Sequence, residues 1–134
     1  MNDTTSSRRS YTIPVDAPGS SVAPVSLPHH RLIAYRVALE LLAAVRAASI
    51  RDVTLRDQAL RSAKSACLNT AEGAGRVTRG DKGRSFTIAR AEACEAAAAV
   101  EIAAACGDAV AGSSVEVNRL ADRLVALLTG LVHR

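Results

Sequence analysis

Tryptophan is absent, phenylalanine occurs once and tyrosine twice, so the 134-residue chain has only Tyr11, Tyr35 and Phe86 as aromatic rings. In their place stand 27 alanines, which favour helix strongly over strand and imply a thin core. The length suits one domain and excludes a multidomain enzyme. No run of about 18 apolar residues occurs, which excludes a membrane-spanning helix. Cysteine is scarce and odd in number, and Cys67, Cys94 and Cys106 form no C-x-x-C pair. That spacing argues against a disulfide framework or a zinc site, and it predicts three small core residues in a reducing compartment. An export signal is also lacking. Ser7-Arg8-Arg9-Ser10-Tyr11 looks like a twin-arginine motif, but Pro14, Asp16, Pro18 and Pro24 stand where an apolar stretch would follow. A cytoplasmic location is expected.

Charge is present but unevenly placed. The net charge is +4, with twelve basic against five acidic residues over 29–90 and three against six over 91–134. The basic middle hints at a polyanion partner, although a charge run also serves as a solvated face.

Residues 1–28 are rich in Ser, Thr, Pro and Val without a sustained period, and they are expected to form an N-terminal tail. Tyr11, Ile13, Val15 and Val22 give that tail enough apolar content to strap onto a neighbouring subunit. From Pro28 onward the period becomes helical. A first helix over about 29–48 would bury Ile33, Val37, Leu41, Ala44, Val45 and Ala48. A second, over about 55–72, opens at Thr54 and Asp57 in capping-box-like spacing, buries Leu60, Ala63, Cys67 and Ala71, and stops at Gly73. A third, over about 82–106, is capped by Asp81, stopped by Gly107, and buries Phe86, Ala89, Ala93, Ala97, Val100 and Ala104. The fourth, over about 114–132, starts with Ser113 and Glu116 in capping-box spacing and buries Val117, Leu120, Ala121, Leu124, Leu128 and Leu131. Connections of roughly six to nine residues force neighbours antiparallel, so the predicted fold is all-α: an up-down-up-down four-helix bundle over 29–134.

Two helices carry a second apolar face. Leu32, Tyr35, Leu39 and Leu42 form one on the first helix, and Ile88, Ala91, Ala99, Ile102 and Cys106 form one on the third. A bundle helix has one inward face, so a second copy of the chain is the simplest cover. Good helix formers left exposed are the alternative.

The segment Asn69-Thr70-Ala71-Glu72-Gly73-Ala74-Gly75-Arg76 is the most distinctive in the chain. It resembles the N-I-A-E-G-x-G-R signature of the 23S rRNA intervening-sequence proteins, a family of bacterial four-helix bundles. Tyr35-Arg36-Val37-Ala38-Leu39-Glu40-Leu41 is similar to that family's aromatic-x-x-A-x-E-L opening, and Gln58-Ala59-Leu60-Arg61-Ser62-Ala63 to its Q-L-R-R-A. Asp81, Arg84, Ile88-Ala89 and Glu95 track a further D-x-x-R-F-x-x-I-A-x-G-S-x-x-E pattern. Ala91-Glu92 departs from the family's Gly-Ser, and Cys67 from a proline. The resemblance covers about 29–132 and implies a non-enzymatic bundle that assembles as a homo-oligomer, with five subunits expected. It also implies partners: RNA or DNA and, by likeness to diversity-generating retroelement accessory proteins, a reverse transcriptase.

The octet breaks local rules without reference to any family. Glu72 lies in a last helical turn that disfavours a carboxylate, and Asn69 is a poor helix-interior residue. With Gly73 and Gly75 they are assigned to a structural corner or a subunit contact, Glu72 pairing with Arg76 or with a neighbouring chain. The loop expected over Gly73–Arg84 carries Arg76, Arg79, Lys82 and Arg84 against Asp81 among four glycines. Mobile cations and exposed N–H groups suit phosphate contacts, with Arg61 and Lys64 extending the patch and Arg56 beside them. No G-x-x-x-x-G-K-[ST] occurs, so no nucleotide P-loop is expected. Tyr35 and Phe86 fall on apolar stripes and leave no stacking platform, which points to backbone-directed, salt-sensitive binding.

Catalysis has no sequence support. His29, His30 and His133 lie at the ends of the domain without the Glu-x-x-His spacing of a di-iron bundle, and no cofactor is expected. Glu40 and Glu95 are expected to pair with arginines on exposed faces. A competing function class is a protein-interaction scaffold that uses its alanine-rich faces and keeps charge for solubility.

Overall fold

A computed structural model describes residues 25–134, and the strap expected of Tyr11, Ile13, Val15 and Val22 lies outside them. A 3₁₀ turn at Pro28–Arg31 leads into four helices: α1 (Ile33–Ala47), α2 (Val53–Gly75), α3 (Arg79–Ala105) and α4 (Ser113–Val132). Each helix packs against its sequence neighbour, and α4 closes the ring against α1, as an antiparallel four-helix bundle requires. None of these helices is long and apolar enough to cross a membrane.

Helix starts are set by side chains that accept the first free N–H groups. The Asp52 carboxylate caps α2 by accepting from the N–H of Thr54 at 2.9 Å and of Leu55 at 3.4 Å. Thr78 Oγ1 caps α3 by accepting from the Asp81 N–H at 3.1 Å. The expected caps Thr54 and Asp81 therefore sit inside their helices, because a residue two or three positions earlier holds the cap. At α4 the cap position falls to Gly112 at φ +81°, Ser113 is the first helical residue, and Glu116 pairs with Arg119 at 2.8 Å rather than closing a box. Gly107, at φ +73°, adopts the left-handed conformation that ends α3, as its sequence position predicts.

Connections are shorter than predicted at two of three corners, with α2 and α3 joined only by Arg76, Val77 and Thr78. At the opposite end the α1–α2 and α3–α4 connections pair with each other. Arg51 N–H donates to Asp108 O and Val110 N–H to Ala48 O, each at 2.9 Å. The Arg51 guanidinium adds a bond to Gly107 O and a 3.5 Å contact to the Asp108 carboxylate.

More than half of the buried apolar residues are alanine. On α2, Ala59, Ser62, Ala63, Ala66, Thr70 and Gly73 face the alanine row of α3, and this pair makes the most extensive helix contact in the bundle. Small side chains let the two backbones approach closely, which compensates for the shortage of aromatics. Leu41, Leu124, Leu128, Val37 and Val100 supply the large side chains. Ile33, expected in the core, is 56% exposed, and Ala34 and Ala38 are buried in the same turns. Because α1 wedges between α2 and α4, its inward arc is rotated and broadened. Ala44, Leu60, Ala71, Ala104 and Leu131 are half-buried where full burial was expected.

Candidate nucleic-acid interface

Packing against α3 carries α2 through Gly73 to Gly75, so the expected twelve-residue loop is a tight corner flanked by helical turns. Gly73 does not end the helix. It is buried against Phe86, and a Cβ placed on it would sit 2.5 Å from that ring. Gly75 is exposed, with no heavy atom near an added Cβ. Arg79, Lys82 and Arg84 stand on the first turns of α3. The N–H groups of Asp81 and Lys82 both bond to Thr78, which removes two of the backbone donors expected to cradle phosphate there.

The corner's cations differ in what they do. Lys82 is half-buried, and its Nζ donates to Ala74 O at 3.0 Å and Gly73 O at 3.4 Å, satisfying two terminal carbonyls of α2. It is a helix cap rather than a mobile cation. Arg76 pairs with Glu72 one turn back, with Nε at 3.2 Å from the carboxylate. That hydrogen bond, followed by the charge of Glu72, raises the affinity of the guanidinium for its proton. Of the two partners foreseen for Glu72, the intrachain one is occupied. Arg79 and Arg84 are exposed and have no ion-pair partner among the described residues, although Asp81 lies on the same turns. Farther along α2, Arg61 donates to Gln58, while Lys64 is exposed. Arg56 is exposed as well.

A polar row seals the seam between α2 and α3 beside this corner. Asn69 Nδ2 donates to Ser65 O at 2.9 Å and Ser65 Oγ at 3.0 Å, and Ser65 Oγ donates to Glu92 at 3.1 Å. Asn69 is thus tolerated within the helix because its amide is satisfied locally and tied to α3. Gln58 donates to Glu95, so the partner of that carboxylate is an amide and not the expected arginine. Glu40 forms no close ion pair among the described residues, but its charge acts on Arg119 of α4, as the expected arginine pairing implies.

The second apolar faces are only partly free. Leu32, Leu39 and Leu42 are half-buried against the chain's own core. Tyr35 is half-buried and edge-on to His29, ring centroids 4.6 Å apart. On α3, Ile88 is 40% and Ile102 52% exposed, whereas Ala99, assigned to that face, is buried at 4%. A helix so uniformly rich in alanine gives no sharp apolar phase to place it by. Cys67 is buried, donates to Ala38 O at 3.3 Å, and burial pushes its thiol up to about 12. Cys94 and Cys106, expected in the core, are exposed.

One feature escaped the sequence analysis. The antiparallel topology brings the starts of α1 and α3 and the ends of α2 and α4 together, and a hollow of about 500 Å³ opens among them. Its wall includes Arg31, Arg79, Lys82 and Arg134, with Leu32, Val77, Phe86 and Leu131, and no carboxylate side chain. The cations come from three separate stretches of sequence, so only chain topology reveals the cluster. Among the described residues no group of three or more His, Cys, Asp or Glu side chains is placed to hold a metal ion.

The architecture defines a class: small antiparallel helical bundles with a compact alanine core and one cation-rich end. The chain belongs to the 23S rRNA-intervening sequence protein family, whose model matches residues 31–130. No curated protein matches it.

Proposed function

We propose that the protein is a non-enzymatic, cytoplasmic homo-oligomer that binds the backbone of RNA or DNA through its α2–α3 corner. The observation that carries this reading is the pair Arg79 and Arg84, exposed on adjacent turns without a carboxylate partner among the described residues. Charges left unpaired beside a rigid corner suit phosphate oxygens, which demand position but no base identity. Lys82 and Thr78 hold that corner, Arg76 flanks it, and Lys64 stands about three turns back along α2. The family's name, with its reference to rRNA, agrees with a nucleic-acid partner. Self-association is favoured by Ile88 and Ile102, which with Ala91, Ala98 and Ala105 make an exposed strip at heptad-like spacing along α3, interrupted by Glu95, whose carboxylate accepts from Gln58 of α2. Repetition of the corner around an oligomer multiplies a modest charge into a polyanion-binding surface.

Titration of single-stranded RNA at a series of salt concentrations tests the function. Affinity falls steeply with salt, and Arg79→Ala with Arg84→Ala weakens binding and flattens the slope by roughly 0.7 for each lost contact. Salt-independent affinity, or unchanged binding by the double variant at full helicity, overturns the reading. It would favour the scaffold function, for which the same α3 strip is the recognition surface.

A further inference from the structure

We infer that the end hollow binds the terminal phosphomonoester of a nucleic-acid strand, an assignment that rests on the nucleic-acid reading of the adjoining corner. The ligand chemistry follows from the wall. Arg31, Arg79 and Arg134 surround an opening whose other lining residues include Leu32, Val77 and Leu131, and no acidic side chain contributes. Such a lining disfavours cations, and it fits an anion attached to a weakly polar body. At about 500 Å³ the hollow lies within the usual range of small-ligand sites and has room for one nucleotide. Phe86 contributes to the wall but is only 4% exposed, so the base would rest on aliphatic side chains rather than stack on a ring.

Charge selects the end over the interior of the strand. An internal phosphodiester carries one negative charge, whereas a terminal monoester carries between one and a half and two near neutrality and offers three acceptor oxygens. Arginine forks match that geometry in two directions at once. Lys82 contributes field but little direct bonding, since two carbonyls already occupy its ammonium. Arg79 belongs to both the hollow and the corner, so a strand lying on the exposed arginines would place its end beside the hollow without leaving the surface.

Fluorescence anisotropy with one short single-stranded RNA, prepared with a 5′-phosphate, a 3′-phosphate or hydroxyls at both ends, tests the assignment. A phosphate at one end is expected to tighten binding about tenfold over the hydroxyl form, the order of one charge-assisted hydrogen bond. Which end responds identifies the strand polarity. Arg31→Ala with Arg134→Ala, both exposed positions, should erase that increment, so that the phosphorylated and hydroxyl RNAs bind the variant alike. Equal affinity of the three RNAs, with the Arg79 and Arg84 variants still weakening binding, overturns the end site and leaves the corner function standing. Failure of every RNA to bind overturns both. An increment that survives the Arg31 and Arg134 substitutions, or displacement of the phosphorylated RNA as readily by a fatty acid as by a nucleoside monophosphate, also overturns the assignment.

Discussion

Gly73 and Phe86 are fitted to each other: the ring of Phe86, on α3, lies where a side chain on residue 73 of α2 would begin, 2.5–2.6 Å from the position of a Cβ. In most helices Gly→Ala stabilises, by up to about 1 kcal/mol. Here Gly73→Ala should destabilise by about 1–3 kcal/mol, because the added methyl must displace a ring that is packed and only 4% exposed. Gly80→Ala, with nothing near its Cβ, should behave oppositely and be neutral or stabilising. Thermal unfolding of the two variants decides, and a stabilised Gly73→Ala protein would refute the fit.

Lys82 separates a structural cation from a binding one. Lys82→Met keeps the aliphatic stem and removes the donor to Gly73 O and Ala74 O. The loss should be about 1 kcal/mol of stability, in keeping with a half-exposed hydrogen bond to a charged group. RNA affinity should fall much less than with Arg79→Ala. The reverse ranking, a stable protein that no longer binds, would return Lys82 to the ligand contacts.

Cys67 provides a reporter for core integrity. Alkylation of the native protein should modify Cys94 and Cys106 and spare Cys67, which reacts only after unfolding. Its thiol is pushed up to about 12 from 9.0, chiefly by burial. The folded value lies above the unfolded one, so the contribution of this group is constant below pH 9 and declines between 9 and 12, when the unfolded chain releases a proton that the folded one retains. The expected decline is on the order of 1 kcal/mol per pH unit. It should be absent in Cys67→Ala, after correction for that variant's lower baseline. Equal alkaline slopes in both proteins would show that the thiol is not the source.

Those residues also show where sequence reasoning succeeds and where it stops. Val37, Leu41 and Val45 on α1, and Val117, Leu120, Leu124 and Leu128 on α4, repeat at helical spacing and are buried, so a hydrophobic period identifies both helices and their inward faces. Gly107 stops α3 through local backbone preference, which a sequence displays directly. Gly73 looks the same in sequence, yet its role is set by Phe86, thirteen positions later in the chain and on another helix. Ala99 and Ala98 are chemically identical neighbours, one buried and one exposed. The octet containing Glu72 and Arg76 was legible as unusual because it violated helix rules. The meeting of Arg31, Arg79 and Arg134 obeys no local rule and required the topology.

Glu72 restrains Arg76, and removing that restraint should strengthen the proposed interface. Glu72→Gln retains size and hydrogen-bonding capacity, abolishes the carboxylate, and leaves the corner one charge more positive. RNA affinity is expected to rise several-fold at low salt, with the gain shrinking as salt is added. Arg76→Ala alone should have a small effect, since Arg76 is already engaged, but added to Glu72→Gln it should cancel most of the gain. A Glu72→Gln protein that binds no better, at unchanged helicity, would show that Arg76 does not face the strand.

The proposed self-association has less surface to draw on than the second faces suggested, because Leu32, Leu39 and Leu42 already pack in part against their own chain. The burden falls on α3. Ile88 and Ile102 lie fourteen residues apart, nearly four helical turns, so both point to the same side. Ile88→Glu with Ile102→Glu should reduce the assembly to a 13.9 kDa species by light scattering without loss of helical signal, since neither side chain belongs to the core. RNA affinity should fall with it, through loss of multivalency and not of any contact. A wild-type mass of 13.9 kDa at micromolar concentration would remove the oligomer from the proposal. An intact assembly in the double variant would shift the interface to the half-buried side of α1, where Tyr35 and Leu39 would be the next positions to change.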